Sequence, residues 1–554
     1  MSDRVSEINS VVESIVDVKL LTPFEQKEFW VEGRVSFFVE GLEQPLEFDA
    51  KIHPQYPFKS HDVESIMFSN RELIKYNHIM GDGSICIRTA HSINLSQKLI
   101  FDFDSVKDWI KKYYVNRESD SHYEHLIVPT INFMGIRHIY FFNKVAYAFK
   151  KKQFGYVEYS TFNEGRYKTE KISNNFLQTF YDQNRKLLID VEWNSQMKSL
   201  KKSFGLFVFL NDAPSQNGRW VVSHWQDCEA FFSQDFLDFL HSVDKDCKGK
   251  ILYMPLFVGY SISDEEIHWQ VIMLEVGNFP TYGKKIQQQW ITILDGNRII
   301  NWAMTRNCSY EYFFGRGRLS DKITNSKILI IGIGAIGSIV AKTLVRCGCK
   351  RVDLIDYDVK EPENVCRSEY SFATGVNNKI DDLADELYMT SPFFETDRRI
   401  LIFSELFDLF LKSHLTDAQK KTDIEEYLNK FDIIIDCTAD NDLLYVLSLL
   451  NITTTLLNLS ISNHAKHLVC TFEQNRYDFA MTQYEKILKS DTEDLYNPTG
   501  CWSPTFKASY NDINVLVQFA IKHINLRFEQ GLPLRNFVIE TDDSDGLTIK
   551  LNEF

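Results

Sequence analysis

A glycine-rich turn at residues 332–337 is the first stretch of this sequence that could bind a phosphate. It reads GIGAIG and lies between an apolar strand-like run and a helix-like run. Gly332 makes the tight turn, Gly334 lets the backbone approach a phosphate, and Gly337 permits close packing at the start of the helix. Asp356 lies 19 residues past Gly337, where a ribose hydroxyl would be bound. That pair is equally typical of a dinucleotide dehydrogenase, so the glycines leave both classes open.

The polar residues that follow Asp356 favour adenylation over hydride transfer. They are Asp358, Asn364, Arg367 and Lys379, with Asp440 further on, where it and Asn441 end a later strand-like run. A carboxylate that attacks the α-phosphorus of ATP displaces pyrophosphate, so cations must offset charge on the transferring group. An acidic side chain must also share Mg²⁺ with the phosphates. The set therefore predicts a site that uses ATP and Mg²⁺.

Two of the ten cysteines lie in stretches where a thiol could react. Cys86 follows a Gly-Asp-Gly turn in GDGSICI, and Cys501 lies between two prolines in NPTGCWSP. A thiol exposed in a loop near cations or a helix start can act as a nucleophile. The alternative for Cys501 is a buried, inert thiol. The sequence contains no C-x-x-C pair, which argues against a zinc site built on paired cysteines.

The composition predicts a soluble, cytoplasmic protein of two to four domains. The chain has 554 residues and a formal net charge of −15, which disfavours direct binding to nucleic acid. The N-terminal stretch has no basic region followed by an apolar core, and the longest apolar run is too short and too glycine-rich to span a bilayer. We therefore expect neither a signal peptide nor a membrane partner.

Three regions differ in their pattern, which predicts a multidomain protein of the α/β and α+β classes. Residues 1–120 have the order helix, antiparallel strands, cysteine loop, helix, typical of a compact α+β domain. Residues 121–305 form an aromatic-rich, mixed α/β connecting domain in which we find no chemical motif. Residues 306–554 alternate strands with helices, as an α/β domain does.

The C-terminal motifs resemble those of the ThiF-type adenylating domain shared by ubiquitin-activating enzymes and sulfur-carrier activators. Over residues 306–505 the five elements read, in order, GIGAIG, DYD, NVCR, Lys379 and DCTADN. The resemblance implies a Rossmann-like fold and a set of roles. Asp356 would bind ribose, Asn364, Arg367 and Lys379 would contact the phosphates, and Asp440 would hold Mg²⁺.

The same resemblance implies a thioester cysteine at Cys501 and a homodimer formed through the adenylating domain. The segment YFFGRGRLS (312–320) resembles the one from which family dimers send an arginine into the neighbouring ATP site. Arg316 or Arg318 would act in this way, and the alternative for either is a solvated loop arginine.

Residues 1–120 resemble ubiquitin-conjugating enzymes. The segments Tyr-Pro-Phe (56–58) and Gly-Ser-Ile-Cys-Ile (83–87) carry the resemblance, which implies that Cys86 forms a thioester. The family's His-Pro-Asn motif reads Tyr76-Asn77-His78 here. His78 or Asn77 could replace the asparagine that stabilises the oxyanion, and an ordinary loop histidine is the alternative for His78.

The order of the three regions resembles the bacterial fusion enzymes of antiphage CBASS operons, which conjugate the C-terminus of a cGAS-like nucleotidyltransferase. This predicts activation of a protein C-terminal carboxylate by ATP, transfer to Cys501 and then Cys86, and conjugation to a target amine. Two alternatives remain open. One is a sulfur-carrier adenylyltransferase, which would not need Cys86, and the other is an activating enzyme whose N-terminal domain only binds a partner.

Overall fold

The computed structural model describes residues 2–60, 63–80, 82–118, 126–127, 131–167, 170–212, 220–262, 266–397, 417–472, 475–487 and 507–554. The chain forms two compact units, residues 1–191 with 201–307 and residues 192–200 with 308–554. The chain therefore passes between the units three times, because residues 192–200 lie in the second unit while both flanks lie in the first. The last crossing lies next to the predicted boundary at 305/306. The division of residues 1–305 into two domains stays a prediction.

The helices and strands have the following bounds. The helices are α1 (Ser2–Ser14), α2 (Leu95–Trp109), α3 (Ser195–Lys198), α4 (Gln234–Cys247), α5 (Tyr310–Phe314), α6 (Asp321–Thr324), α7 (Ala335–Arg346), α8 (Lys379–Thr390), α9 (Ala418–Leu428), α10 (Asn441–Leu449), α11 (Arg476–Ile487) and α12 (Tyr510–Glu529). The strands are β1 (Val18–Lys27), β2 (Trp30–Phe37), β3 (Leu46–Ile52), β4 (Ile66–Ser69), β5 (Leu126–Ile127), β6 (Ile136–Phe142), β7 (Phe154–Tyr167), β8 (Glu170–Asp182), β9 (Leu187–Asp190), β10 (Lys202–Asp212), β11 (Trp220–Val221), β12 (Tyr253–Ser261), β13 (Ile267–Glu275), β14 (Thr281–Ile286), β15 (Gln289–Leu294), β16 (Trp302–Asn307), β17 (Lys327–Ile331), β18 (Arg351–Ile355), β19 (Val359–Lys360), β20 (Asn377–Asn378), β21 (Ile433–Asp436), β22 (Thr455–Ile461), β23 (His467–Thr471), β24 (Phe537–Asp542) and β25 (Thr548–Glu553).

The first unit begins with α1, the antiparallel sheet β1-β2-β3-β4 and α2, the order that the sequence predicts. The apolar stripe of α1, with Ile8 and Val12 fully buried, packs in one core with Phe103 and Val106 of α2. Helix α2 continues as a π-helical segment, Ile110–Val115. Strand β1 was not predicted, because only one of its ten side chains is fully buried and the apolar alternation is therefore weak.

The rest of the first unit contains a sheet in the order β6-β16-β13-β12-β10-β7-β8-β9, with an additional pairing between β6 and β8. That pairing closes seven of the strands into a barrel, which removes their free edges. The barrel is rich in aromatic side chains. Trp269, for example, lies 4.8 Å from Phe180 and 5.5 Å from Phe149 between ring centroids. The sequence runs at 204–210 and 290–296 identified only β10 and β15 of this region.

A buried histidine lies on β6 among the aromatic rings of the barrel region. His138 is 2% exposed, and its ring centroid lies 5.1 Å from that of Tyr253. Its Nε2 has no hydrogen-bond partner among the described residues. Burial disfavours the charged imidazolium and lowers the pKa of His138 to about 4.

Acidification is therefore expected to destabilise the first unit through His138. Its pKa is depressed in the fold, so the unfolded chain binds the proton more readily, and stability falls as the pH drops from about 6.5 to about 4. The expected loss is about 3 kcal/mol. His138→Phe should flatten this part of the pH dependence of the urea midpoint, whereas the exposed control His91→Phe should not. Parallel curves for wild type and H138F would contradict the assignment.

The second unit is built on the sheet β18-β17-β21-β22-β23-β24-β25. Its first four strands are parallel and the remainder antiparallel. The run Ile328–Ile331 is buried on both sides of the sheet, because one core lies on each face, which explains its continuous apolar sequence. The alternating pattern predicted an α/β unit, and the family resemblance implied a Rossmann-like fold; the parallel strands connected by helices agree with both. Among the described residues, no helix is both long and apolar enough to cross a membrane.

Residues 192–200, here called the strap, pack within the second unit against the C-terminal end of α8. Asn194 is 1% exposed, and its Nδ2 donates to the carbonyl of Ser391 at 3.0 Å while its backbone N–H donates to that of Pro392 at 2.7 Å. The Ser195 hydroxyl donates to Glu395 at 3.0 Å. The strap thus donates hydrogen bonds to carbonyl groups just past the C-terminal end of α8. No sequence pattern indicated this segment.

Candidate nucleotide site and the Cys86 loop

A cavity of about 210 Å³ lies at the carboxyl ends of β17, β18 and β21. These strands are parallel neighbours, so their ends open at the same edge of the sheet, beside the N-terminus of α7. The lining comprises Ile331, Gly332, Gly334, Ile355, Asp356, Tyr357, Asp358, Lys379, Cys437, Thr438, Asp440 and Leu443. The fold thus brings together six of the site residues predicted from the sequence.

The three glycines of the turn have different structural tasks. Gly332 has a φ of +79°, and a Cβ there would lie 2.9 Å from the backbone nitrogen of Thr438. A Cβ on Gly337 would lie 2.0 Å from the carbonyl oxygen of Gly332. Nothing lies within 4 Å of a Cβ built on Gly334, which lines the cavity. Gly332 and Gly337 therefore keep the turn closed, while Gly334 leaves an open cradle large enough for a phosphate group.

The carboxylate of Asp356 accepts hydrogen bonds from both the glycine turn and the loop that follows β18. One of its carboxylate oxygens accepts the N–H of Ile333 at 2.8 Å, and the other accepts that of Asp358 at 2.9 Å. Partial burial of this carboxyl raises its pKa. The buried Tyr370 holds the same turn, because its hydroxyl donates to the carbonyl of Ile333. Tyr370 was not predicted as a site residue, because its only sequence signal is an aromatic residue shortly after NVCR.

Lys379 and Asp358 form an ion pair within the cavity lining. The Nζ of Lys379 lies 2.5 Å from a carboxylate oxygen of Asp358. Lys379 is the first residue of α8 and is 7% exposed, whereas the Asp358 side chain is about half exposed. An ammonium group held at low exposure can act on an anion in the cavity with little screening by solvent.

Asp440 lies at the start of α10 rather than at the end of a strand, which corrects the sequence interpretation. Strand β21 ends at Asp436, because the Asp436 carboxylate accepts the N–H of Thr438 at 3.0 Å and its hydroxyl at 2.7 Å and so turns the chain. Asp440 then caps α10 by accepting the N–H of Asp442 at 2.8 Å. Burial raises the pKa of Asp436, a residue that the sequence analysis did not select.

Asn364 and Arg367 are not part of the cavity lining that the described residues form. Asn364 lies in the short helical turn Pro362–Arg367, where its Oδ1 accepts the backbone N–H of Glu361 at 2.9 Å. Arg367 is half-buried at the end of the same turn. Neither residue is therefore among the described residues that line the cavity, although both follow Asp356 closely in sequence.

The remaining predicted residues of the second unit lie elsewhere. Arg318 forms a salt bridge with Asp321 at 3.1 Å, and Arg316 is exposed. Cys501 lies outside the described residues. Within the described part of the chain, no three His, Cys, Asp or Glu side chains are arranged to hold a metal ion.

In the first unit, the Cys86 loop displays its thiol on the surface. Cys86 is exposed, while Ile85 and Ile87 on either side are buried in the core. The backbone N–H of Cys86 donates to the carbonyl of His78 at 2.8 Å. Gly83 has a φ of +88°, and a Cβ there would lie 3.0 Å from the backbone of Arg71. The loop is thus held before the thiol and at Cys86 itself by contacts of its backbone.

The two residues proposed to replace the family asparagine, Asn77 and His78, lie in the segment that pairs through its backbone with Cys86. His78 has a φ of +61°, and its ring lies 4.6 Å from that of Tyr113 in the π-helical segment. Asn77 is 8% exposed, and its carbonyl accepts the indole N–H of Trp109 at 2.9 Å. The choice between the two side chains stays a prediction.

A buried ionic network supports the chain just after Cys86. Lys98 is 1% exposed, and its Nζ lies 2.7 Å from Glu64 and 2.6 Å from Asp102. The hydroxyl of Thr89 donates to Asp102, and its backbone N–H donates to Glu64 at 3.1 Å. This network fixes Thr89, three residues past the thiol. The sequence analysis missed it, because a lysine on an amphipathic helix is usually solvated.

The chain is similar in sequence to a known protein family and to several known proteins. Residues 306–451 match the ThiF family. The chain is 23% identical over 382 residues to the ATP-dependent ubiquitin transferase-like protein Cap2 of Enterobacter hormaechei, which covers 63% of this chain and 61% of that protein. It is 28% identical over 127 residues to ubiquitin-like modifier-activating enzyme 5 of Caenorhabditis elegans, 22% of this chain and 27% of that one.

Among solved structures, the crystal structure of Escherichia coli MccB with AMPCPP and selenomethionine MccA is 18% identical. It covers 42% of this chain and 65% of MccB, with a TM-score of 0.29. The matched regions span less than two thirds of each of these relatives. The predicted ThiF-type domain is confirmed over residues 306–451, and the conjugating-like domain stays a prediction.

Proposed function

We propose that the chain is an ATP-dependent protein conjugation enzyme. It activates the C-terminal carboxylate of a protein as an acyl-adenylate and passes the acyl group through thioesters at Cys501 and Cys86 to a target amine. The observation that carries the proposal is the cavity in which an open glycine cradle, a weakly exposed Lys379 and the carboxylates of Asp358 and Asp440 meet. The ThiF match and the similarity to Cap2 support the same reaction class.

The residues of the cavity fit ATP and Mg²⁺. Gly334 leaves room for a phosphate at the N-terminus of α7, where backbone N–H groups and the helix dipole favour an anion. Asp440 is the proposed Mg²⁺ ligand, and a single carboxylate suffices because Mg²⁺ is usually shared with phosphates and water. When bound, Mg²⁺ would neutralise phosphate charge. Asp356 is proposed to bind the ribose, and Arg367 and Asn364 to contact phosphates from outside the described lining.

The first step exchanges one anhydride for another. A carboxylate oxygen of the substrate bonds to the α-phosphorus of ATP, the bond to the β-phosphate oxygen breaks, and pyrophosphate leaves with the electron pair. Lys379 stabilises the negative charge that develops on the phosphates, and Asp358 holds its ammonium group in place. No proton transfer is required at this step.

The later steps are thiol and amine substitutions at the same acyl carbon. The thiolate of Cys501 attacks the acyl-adenylate and AMP leaves, and the thiolate of Cys86 then displaces that of Cys501. An amine displaces Cys86, forming an amide and releasing one proton. Having both thiols on one chain raises their effective concentration for the second transfer.

The partners are proposed from the family resemblance, and the similarity to Cap2 supports the same class of reaction. They are a protein with a free C-terminus, by resemblance a cGAS-like nucleotidyltransferase in antiphage defence, and an amine on a second protein. A homodimer formed through the adenylating domain, with Arg316 or Arg318 acting in trans, belongs to the same proposal.

Exchange of labelled pyrophosphate into ATP tests the activation step. The full chain with Mg²⁺ and a protein ending in the proposed C-terminal carboxylate should catalyse exchange, and removal of that protein's last residues should abolish it. Binding of a nicotinamide dinucleotide without pyrophosphate exchange would overturn the proposal in favour of a dehydrogenase.

Two glycine variants should distinguish an effect on ATP binding from an effect on the stability of the fold. Gly334→Ala places a methyl group in the open cradle, so the KM for ATP in pyrophosphate exchange should rise at least about tenfold, while the urea midpoint stays close to wild type. Gly337→Ala drives a Cβ into the carbonyl of Gly332 and should cost about 1–3 kcal/mol of stability. Equal ATP affinity in wild type and G334A would contradict the cradle assignment.

A further inference from the structure

Charge is distributed unevenly within residues 1–118. Residues 1–63 contain six Lys and Arg against twelve Asp and Glu, whereas residues 70–118, which include the Cys86 loop, contain eight against six. The part of the domain that carries the thiol is therefore its basic part, in a chain whose net charge is −15.

Four cations lie on the elements that surround the thiol. Arg88 is exposed on the same side of the extended chain as Cys86, because the buried Ile87 between them points the other way. The backbone of Arg71 packs against Gly83. Lys75 and Arg117 both lie over the ring of Tyr76, next to Asn77 and His78, and the Arg117 guanidinium is 4.3 Å from the ring centroid.

Most of the buried or strand-borne cations of the domain have carboxylate partners. Arg34 pairs with Glu47 at 2.8 Å, Lys51 with Glu32 at 2.8 Å, and Lys98 with Glu64 at 2.7 Å.

Lys75, Arg88 and Arg117 have no carboxylate partner among the described residues, as is also true of Lys111 and Lys112 in the π-helical segment. Arg71 likewise forms no salt bridge within the described residues, but it lies close enough to Asp82 to help the hydrogen bond from Ser84 lower the pKa of that carboxyl. Aromatic stacking, rather than an ion pair, orders Arg117. The charge of the four cations around the thiol is therefore available to an incoming anion.

We infer that these four residues form an acceptor surface that selects an amine flanked by acidic residues. The inference deepens the proposed function, because it names the chemistry of the acceptor that Cys86 serves. An acidic segment would pair with cations that the domain leaves unpaired and bring its lysine to the thioester, which raises the encounter rate more than the final affinity.

The test distinguishes the acceptor surface from the proposed transfer of the acyl group from Cys501 to Cys86. It does so because Cys86 is loaded chemically and no longer depends on Cys501. A fluorescent peptide thioester ending in Gly-Gly transfers its acyl group to the full chain in a Cys501→Ala background, and the Cys86→Ala variant measures the signal from other thiols. Two lysine peptides are then added, one with Asp and Glu around the lysine and one with Ser and Gly. Binding of each labelled peptide is measured separately by anisotropy.

The acidic peptide should bind more tightly and discharge the Cys86 thioester about fivefold faster at low salt, with the difference fading at high salt. Arg88→Glu should remove the preference, and the control Lys250→Glu, an exposed lysine far along the chain, should retain it. Equal discharge by both peptides, or an unchanged preference in R88E, would contradict the proposed acceptor surface. Either result would leave the proposed thioester transfer through Cys86 unaffected. Selective binding of the acidic peptide without discharge of the thioester would contradict the proposed role of Cys86 in acyl transfer and support the acceptor surface.

Discussion

Replacement of Lys379 by alanine is expected to lower the rate of ATP–pyrophosphate exchange about 100- to 1,000-fold. Lys379 is 7% exposed and is the one lysine or arginine among the described residues that line the cavity, so no neighbouring side chain of that lining can supply the same positive charge. Loss of one preorganised cation or donor from such a site typically has an effect of this size. Lys379→Arg should retain part of the rate, since it keeps the charge but not the geometry of the pair with Asp358.

Lys322→Ala is the matched control, because Lys322 is an exposed lysine of the same unit outside the cavity lining. It should exchange pyrophosphate at the wild-type rate. The urea midpoints of K379A and K322A should be compared, so that a misfolded variant is not mistaken for an inactive one. A folded K379A protein with wild-type exchange would remove Lys379 from the proposed reaction.

Replacement of Cys86 by alanine is expected to abolish the amine conjugate and leave pyrophosphate exchange unchanged. The thiol is exposed and its backbone hydrogen bond to His78 does not depend on the side chain, so the loop should keep its structure. The acyl group should then accumulate as a thioester on Cys501. Non-reducing gels of the full chain with ATP, Mg²⁺ and the carboxyl-ended protein would show that adduct, and added thiol would remove it.

Cys247→Ser, at the end of α4, is the matched control and should form conjugate at the wild-type rate. Undiminished conjugate in the C86A protein would reduce the N-terminal region to a binding module. Exchange without any thioester in wild type, accompanied by a thiocarboxylate product, would favour the sulfur-carrier alternative.

Much of the second unit could be predicted because its local signals agree with one another. A doubly buried strand, a glycine turn and an amphipathic helix each have a distinct pattern, and their order specifies parallel strands whose carboxyl ends meet. The barrel of the first unit could not be predicted in this way. Its closure depends on β6, which pairs with β8 on one side and with β16, near the end of the unit, on the other, and no local pattern encodes these pairings.

The nucleotide site likewise contains residues that the sequence predicted and residues that it did not. The sequence identified glycine, acidic and basic residues in one order along the chain, and six of them line the cavity. It did not identify Tyr370 or Asp436, because each acts on backbone groups that only the folded chain brings near. It also grouped Asn364 with the cavity residues by proximity in sequence, although a local cap occupies its Oδ1.

The strap makes each unit discontinuous in the gene. A fragment that begins at Cys308 would lack Asn194 and expose Phe393, whose ring Trp193 covers at 6.1 Å, together with the carbonyl groups that Asn194 satisfies. A fragment that ends at Asn307 would carry the strap with nothing to bind. Recombination at the boundary between the two halves would therefore yield an incomplete C-terminal half and an N-terminal half with an unbound strap, so the halves are expected to be inherited together. Expression of the C-terminal half alone must supply the missing nine residues as a separate peptide.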